Sequence, residues 1–186
     1  MSALVTEQMT FTVVPAESAV LVEARSSVGP ISFGTMAASG RIDAGLLGGA
    51  VDTRCATAGT LVVPVASLSS GNSLYDAELR SRLDARRFPE ITAELRTITP
   101  SGPDRFRVTG ALTIQGTTRE LSGSLELYLS EVGSALVTGS QMIDIRDFGI
   151  KLPSMLMLRI YPDVNVRFHI KAIRPSNDQE TRRSAC

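Results

Sequence analysis

The sequence predicts an all-β fold: one antiparallel barrel of about eight strands around an apolar interior, with one short helix inserted between strands. Three observations carry this. Short segments alternate apolar and polar residues with a period of two along most of the chain. Glycine- and proline-bearing turns divide those segments. In a single stretch, residues 72–84, the period becomes that of a helix.

The elements follow in order. Residues 10–14 are extended until Pro15 interrupts them. Residues 18–25 form a strand with Val20, Val22 and Ala24 on one face and Ala19, Leu21 and Glu23 on the other. Neither face is strongly polar, so both are expected to be covered. Residues 31–36 and 37–44 are the next strands, and Gly40 inside the latter marks a bend. Residues 60–65 form a strand, with Pro64 near a sheet edge or the strand's own end. In the helix, Ser73 is the expected N-cap, with Asp76 three residues on. Tyr75, Leu79 and Leu83 fall at i, i+4 and i+8 and make one apolar stripe. The surrounding Arg80, Arg82, Arg86 and Arg87 read as a solvated basic face.

Strands return after Phe88-Pro89. Residues 91–99 and 105–115 flank a turn at 100–104 that holds two prolines and a glycine. Phe106, Val108, Gly110, Leu112 and Ile114 share a face opposite Arg107, Thr109, Ala111, Thr113 and Gln115. In residues 119–129, Leu121, Gly123, Leu125, Leu127 and Leu129 alternate with polar partners. Residues 134–145 are extended, 146–149 form a turn or a single helical turn, 151–157 are an irregular apolar link, and 164–172 are the last strand. The domain is expected over 10–173, with residues 1–9 as an extension and 174–186 as a polar tail lacking fixed structure.

Composition narrows the function. Nineteen basic and nineteen acidic residues cancel. That leaves no cationic surplus for nucleic acid or for an anionic membrane surface. The chain has one histidine and two cysteines, Cys55 and Cys186, with no CxxC pair. No zinc or other metal site is expected from so few ligands, and a bridge between a polar loop and the last residue is not expected either. No stretch approaches the roughly 20 apolar residues of a membrane span. The N-terminus lacks a basic segment followed by an apolar run, so the expected location is cytoplasmic.

Four motifs resemble the YceI-like family of lipid- or polyisoprenoid-binding, lipocalin-like proteins. Leu68-Ser69-Ser70-Gly71-Asn72 leads into Tyr75-Asp76 and Leu79, similar to the family's Ser-x-x-Gly-Asn-x-x-Arg-Asp-x-His-Leu. Leu83-Asp84 through Arg87-Phe88-Pro89-Glu90-Ile91 is similar to its Phe-Asp…Tyr-Pro-x-Ile. The most specific match is Val108-Thr109-Gly110-Ala111-Leu112-Thr113-Ile114-Gln115-Gly116-Thr117-Thr118-Arg119. Asp147-Phe148-Gly149-Ile150 is the fourth. The resemblance spans about residues 10–173 and implies a lipocalin-like barrel whose elongated cavity holds an isoprenoid chain. Tyr75 and Glu78 stand where the family usually has arginine and histidine.

The candidate ligand-binding residues are Phe33, Leu79, Leu112, Ile114, Phe148 and the methionines Met36, Met142, Met155 and Met157 for the interior. Asn72, Tyr75, Asp76 and Arg80 are the candidates for a polar mouth. The plainer roles are core packing for the methionines and capping for Asn72 and Asp76. The first functional reading is binding or carriage of an apolar, isoprenoid- or lipid-like molecule, with no cofactor. The second is a cyclase- or isomerase-type barrel enzyme, although no Gly-x-Ser-x-Gly or Cys–His arrangement is found and His169 falls on a polar strand face. The third is a stress-related protein with a filled core. The resemblance also leaves room for a homodimer.

Overall fold

The structure, a computed structural model, describes residues 6–131, 133–151, 154–155 and 158–175. Eight antiparallel strands close into a barrel. They are β1 (Glu7–Val13), β4 (Ser39–Leu47), β6 (Ala58–Pro64), β7 (Glu90–Gly102), β8 (Arg105–Ile114), β9 (Thr117–Leu129), β10 (Ser134–Asp144) and β12 (Leu158–Ile173). They neighbour one another in that order, and β12 returns to β1 through Thr12–Ile173 and Val13–Ala172. Four strands are extra: β2 (Ala19–Ser26) pairs β12, β3 (Gly29–Thr35) pairs β2, and the two-residue β5 (Ala50–Val51) and β11 (Ser154–Met155) pair β4 and β12.

The long β12 has two partners along one edge. Residues 160–169 meet β2, and 172–173 meet β1. Between β1 and β2 the chain steps through a 3₁₀ turn, Pro15–Glu17, where proline's fixed φ suits the first position. Ser18 splices the gap. Its buried hydroxyl accepts from the Lys171 N–H at 3.0 Å and donates to the Val14 carbonyl at 2.8 Å. Pro64 ends β6 between two paired neighbours, β4 and β7, so it marks a strand end rather than a sheet edge.

Two glycines of the β8–β9 motif have physical causes. Gln115 and Gly116 both have positive φ, +50° and +73°, and form a two-residue hairpin between Ile114 and Thr117. The link expected at 116–118 is therefore a tighter turn at 115–116. A Cβ on Gly116 would also lie 2.7 Å from the Phe88 ring. At Gly110 a Cβ would lie 2.1 Å from the Glu94 carbonyl oxygen. There β7 carries a bulge between Leu95 and Thr97, and the missing side chain lets it approach.

The helix α1 spans Ser73–Arg82. Its N-cap is Asn72, not Ser73: the Asn72 Oδ1 accepts from the backbone N–H groups of Leu74 at 2.9 Å and Tyr75 at 3.4 Å. The loop before α1 is tied to β3, because Gly34 and Ser69 exchange backbone hydrogen bonds of 2.9 and 3.0 Å. A 3₁₀ turn, Ile145–Phe148, ends at Gly149 with φ +74°. One hydrophobic cluster includes Phe11, Phe33, Leu68 and Ile170. A second joins Leu83 of the segment after α1 to Ile114, Phe148, Ile150 and Val164.

Cys55 is disulfide-bonded, contrary to the sequence expectation. It is buried against Gly45 rather than placed in an open loop, and the other cysteine, Cys186, lies outside the described residues.

Candidate functional site

The barrel encloses a cavity of about 450 Å³. Its wall is built by the period of two. On β7 the lining includes Ile91, Ala93 and Leu95; on β8 Val108, Leu112 and Ile114; on β9 Leu121, Leu125 and Leu127; on β12 Val164, Val166, Phe168 and Ile170. Branched aliphatic side chains suit this wall because they pack well on a pleated surface.

One end is formed by α1. Tyr75, Glu78, Leu79, Arg82 and Leu83 all line the cavity, at i, i+3, i+4, i+7 and i+8. That spacing places them on one helix face. Across from them, Ile150 packs in the same cluster as Leu83, and the next residue, Lys151, lines the cavity too. Glu78 and Arg82 form an i,i+4 ion pair, with Arg82 Nε donating to Glu78 Oε1 at 2.6 Å.

The candidate residues separate into groups. Phe33, Tyr75, Leu79, Leu112 and Ile114 line the cavity. Met36 and Met142 do not; they are 60% and 56% exposed. Met36 follows β3 in a loop, and Met142 alternates outward on β10 between the lining residues Gln141 and Ile143. Phe148 is buried in the second cluster, behind the lining. Arg80 lies off the lining, on a different face of α1 from Glu78 and Arg82. Met157 and the side chain of Met155 lie outside the described residues.

Asn72 and Asp76 turn inward to the chain itself. Asn72 caps α1. Asp76 is 7% exposed and accepts from the Ser70 hydroxyl at 2.7 Å, the Ser70 N–H at 2.7 Å and the Ser69 hydroxyl at 2.8 Å. Those donors, Ser70's first, hold its carboxyl below the usual carboxylate range. Asp76 fixes the loop that leads into α1; it does not form a capping box with Ser73.

Sequence reasoning missed Glu78 as a lining residue, together with Arg82, Lys151 and Gln141. The i,i+4 pairing of Glu78 with Arg82, one row from the apolar stripe, was the available signal. Among the described residues no group of histidines, cysteines and carboxylates has the arrangement to hold a metal. Nor is any described helix long and apolar enough to cross a membrane.

The comparisons agree with this architecture. BcnA of Burkholderia cenocepacia, 20% identical, superposes with a TM-score of 0.72 over 86% of this chain and 98% of that one. A polyisoprenoid-binding domain from Saccharophagus degradans implicated in plant cell wall breakdown is 12% identical, with a TM-score of 0.69 over 89% of this chain and 98% of that one. A mutant Campylobacter jejuni YceI protein holding a monobromobimane guest is 18% identical, with a TM-score of 0.60 over 74% of this chain and 81% of that one. At these identities the likeness is one of fold. No curated protein matches the sequence. The YceI-like domain family matches residues 11–172, nearly the whole barrel, and the chain belongs to that family.

Proposed function

We propose that this protein binds one apolar, isoprenoid- or lipid-like molecule inside the barrel. The observation that carries the reading is the cavity itself: about 450 Å³ with a predominantly apolar wall. Small-molecule sites occupy roughly 300–1,000 Å³. A dry apolar cavity of roughly 150 Å³ takes a benzene-sized guest, so this one has room for a chain of roughly 15–20 carbons. Each buried methylene contributes about 0.8 kcal/mol, so a chain of that length binds without polar contacts. The polyisoprenoid-binding domain of similar fold supports the same ligand class. Phe33, Tyr75, Leu79, Leu112 and Ile114 are the proposed contacts.

A core filled by its own side chains does not fit a cavity of this size. Asp76 accepts three hydrogen bonds from Ser69 and Ser70 and lies off the cavity. A homodimer belongs to the reading as well, through the outer edge of β3, whose backbone pairs there only with Ser69 among the described residues. Sedimentation velocity measures it.

Native mass spectrometry of protein purified from its own cells tests the ligand. A mass adduct that is released on activation, and that appears as a long-chain apolar compound in the organic extract, is expected. An adduct-free protein with an extract free of such compounds overturns the proposal.

A further inference from the structure

The cavity has charged groups at one end only in part compensated. Glu78, Arg82 and Lys151 line it together with Tyr75, on α1 and on the segment whose Ile150 shares a hydrophobic cluster with Leu83. Arg82 gives its Nε to Glu78. Among the described residues its two terminal nitrogens have no hydrogen-bond partner, nor has the Lys151 ammonium or the Tyr75 hydroxyl. Glu94, the other carboxylate in the lining, stands on β7 beside Arg96, at 3.9 Å.

Two cations and one carboxylate at the helix end leave a surplus of one positive charge. An arginine whose Nε is held by a carboxylate presents its terminal N–H groups in a fixed plane, the arrangement that suits an oxyanion. The Glu78 pair orients Arg82, and Lys151 adds a mobile point charge.

We infer that the ligand is an anionic amphiphile, its chain in the barrel and its carboxylate or phosphate held by Arg82, Lys151 and the Tyr75 hydroxyl. The inference rests on the reading of the barrel as a binder of apolar chains.

The experiment measures displacement of N-phenyl-1-naphthylamine, a neutral apolar probe, from the full-length protein. The competitors share a sixteen-carbon tail: hexadecanol, palmitate and hexadecyl phosphate, each below its aggregation concentration. All three are expected to displace the probe, with palmitate, hexadecyl phosphate or both at least tenfold tighter than hexadecanol. The arm with the larger gain names the head group. Lys151→Met is expected to cut the gain over hexadecanol severalfold, and Lys151→Met with Arg82→Met and Glu78→Gln to abolish it. Anions no tighter than the alcohol, or a gain that survives the triple substitution, overturn the inference and leave the apolar cavity standing. Failure of probe and hexadecanol alike overturns both readings.

Discussion

The wall of the barrel and its helix end are held together in different ways. From β7 to β9 the backbone ladders run for most of each strand, 92–113 on one side and 105–126 on the other. Every turn of the pleat adds a little, and no single side chain carries the wall. The end formed by α1 and residues 145–151 has no such ladder. It depends on Asn72, on Asp76 and its two serines, on the Asp144 side chain that caps the 3₁₀ turn, and on Phe148 beneath. Stability spread over a sheet yields slowly to substitution, whereas stability gathered in a few groups fails locally. The charged side chains Glu78, Arg82 and Lys151, which line the cavity, sit on the second kind of structure.

The largest test of this contrast is Phe148→Ala. Phe148 is 2% exposed, so its loss is expected to cost about 3–5 kcal/mol. Hydrogen exchange should quicken first in 73–83 and 145–150, with β7 to β9 still protected. Equal loss of protection in the wall would show that the two regions unfold as one.

Gly110→Val strikes the wall instead. Its new Cβ meets a backbone carbonyl at 2.1 Å, not a movable side chain. A loss of about 3 kcal/mol is expected, read as a lower thermal midpoint. Here the whole barrel should melt earlier, without prior loosening of α1.

Acid acts next, and on the helix end. In the folded protein the Asp76 carboxyl titrates below its unfolded value. Its contribution is therefore present above the unfolded value of about 4 and is lost as pH falls through the folded one. Asp52, held low by Arg54 and Thr6, and Asp144, held low by Arg146, act in the same direction. Thermal midpoints measured from neutral to acid pH should fall below about pH 4, and Asp76→Asn should flatten that fall without removing it. An unchanged slope in the variant would separate Asp76 from loop stability.

The same contrast explains what was legible in the sequence. β8 and β9 were readable because alternation is a local property, and the inward set Val108, Gly110, Leu112 and Ile114 lines the cavity as spaced. The stripe of Tyr75, Leu79 and Leu83 was readable for the same reason. Met142 and Gln141 were not. On β10 the alternation turns the amide inward and the thioether outward, opposite to what hydrophobicity suggests. The sequence alone makes Arg82 a solvated residue, because a basic run looks alike on either face of a helix; only the packing of α1 over the barrel distinguishes it from Arg80. In the sequence Asp76 looks like a mouth residue or a cap, because its partners, Ser69 and Ser70, precede the helix rather than begin it.

The smallest expected effect is at Asn72. Its side chain supplies the acceptor for two N–H groups at the start of α1, which otherwise have no partner within the helix. Asn72→Ala should cost about 1 kcal/mol, and Asn72→Asp should keep the cap and add a favourable charge at the helix N-terminus. Faster exchange at the Leu74 and Tyr75 amides in the alanine variant, reversed in the aspartate variant, would locate the loss at the cap. Should alanine leave both amides as protected as before, Asp76 and the Gly34–Ser69 pair would be the groups that start the helix, and the helix end would depend on fewer contacts still.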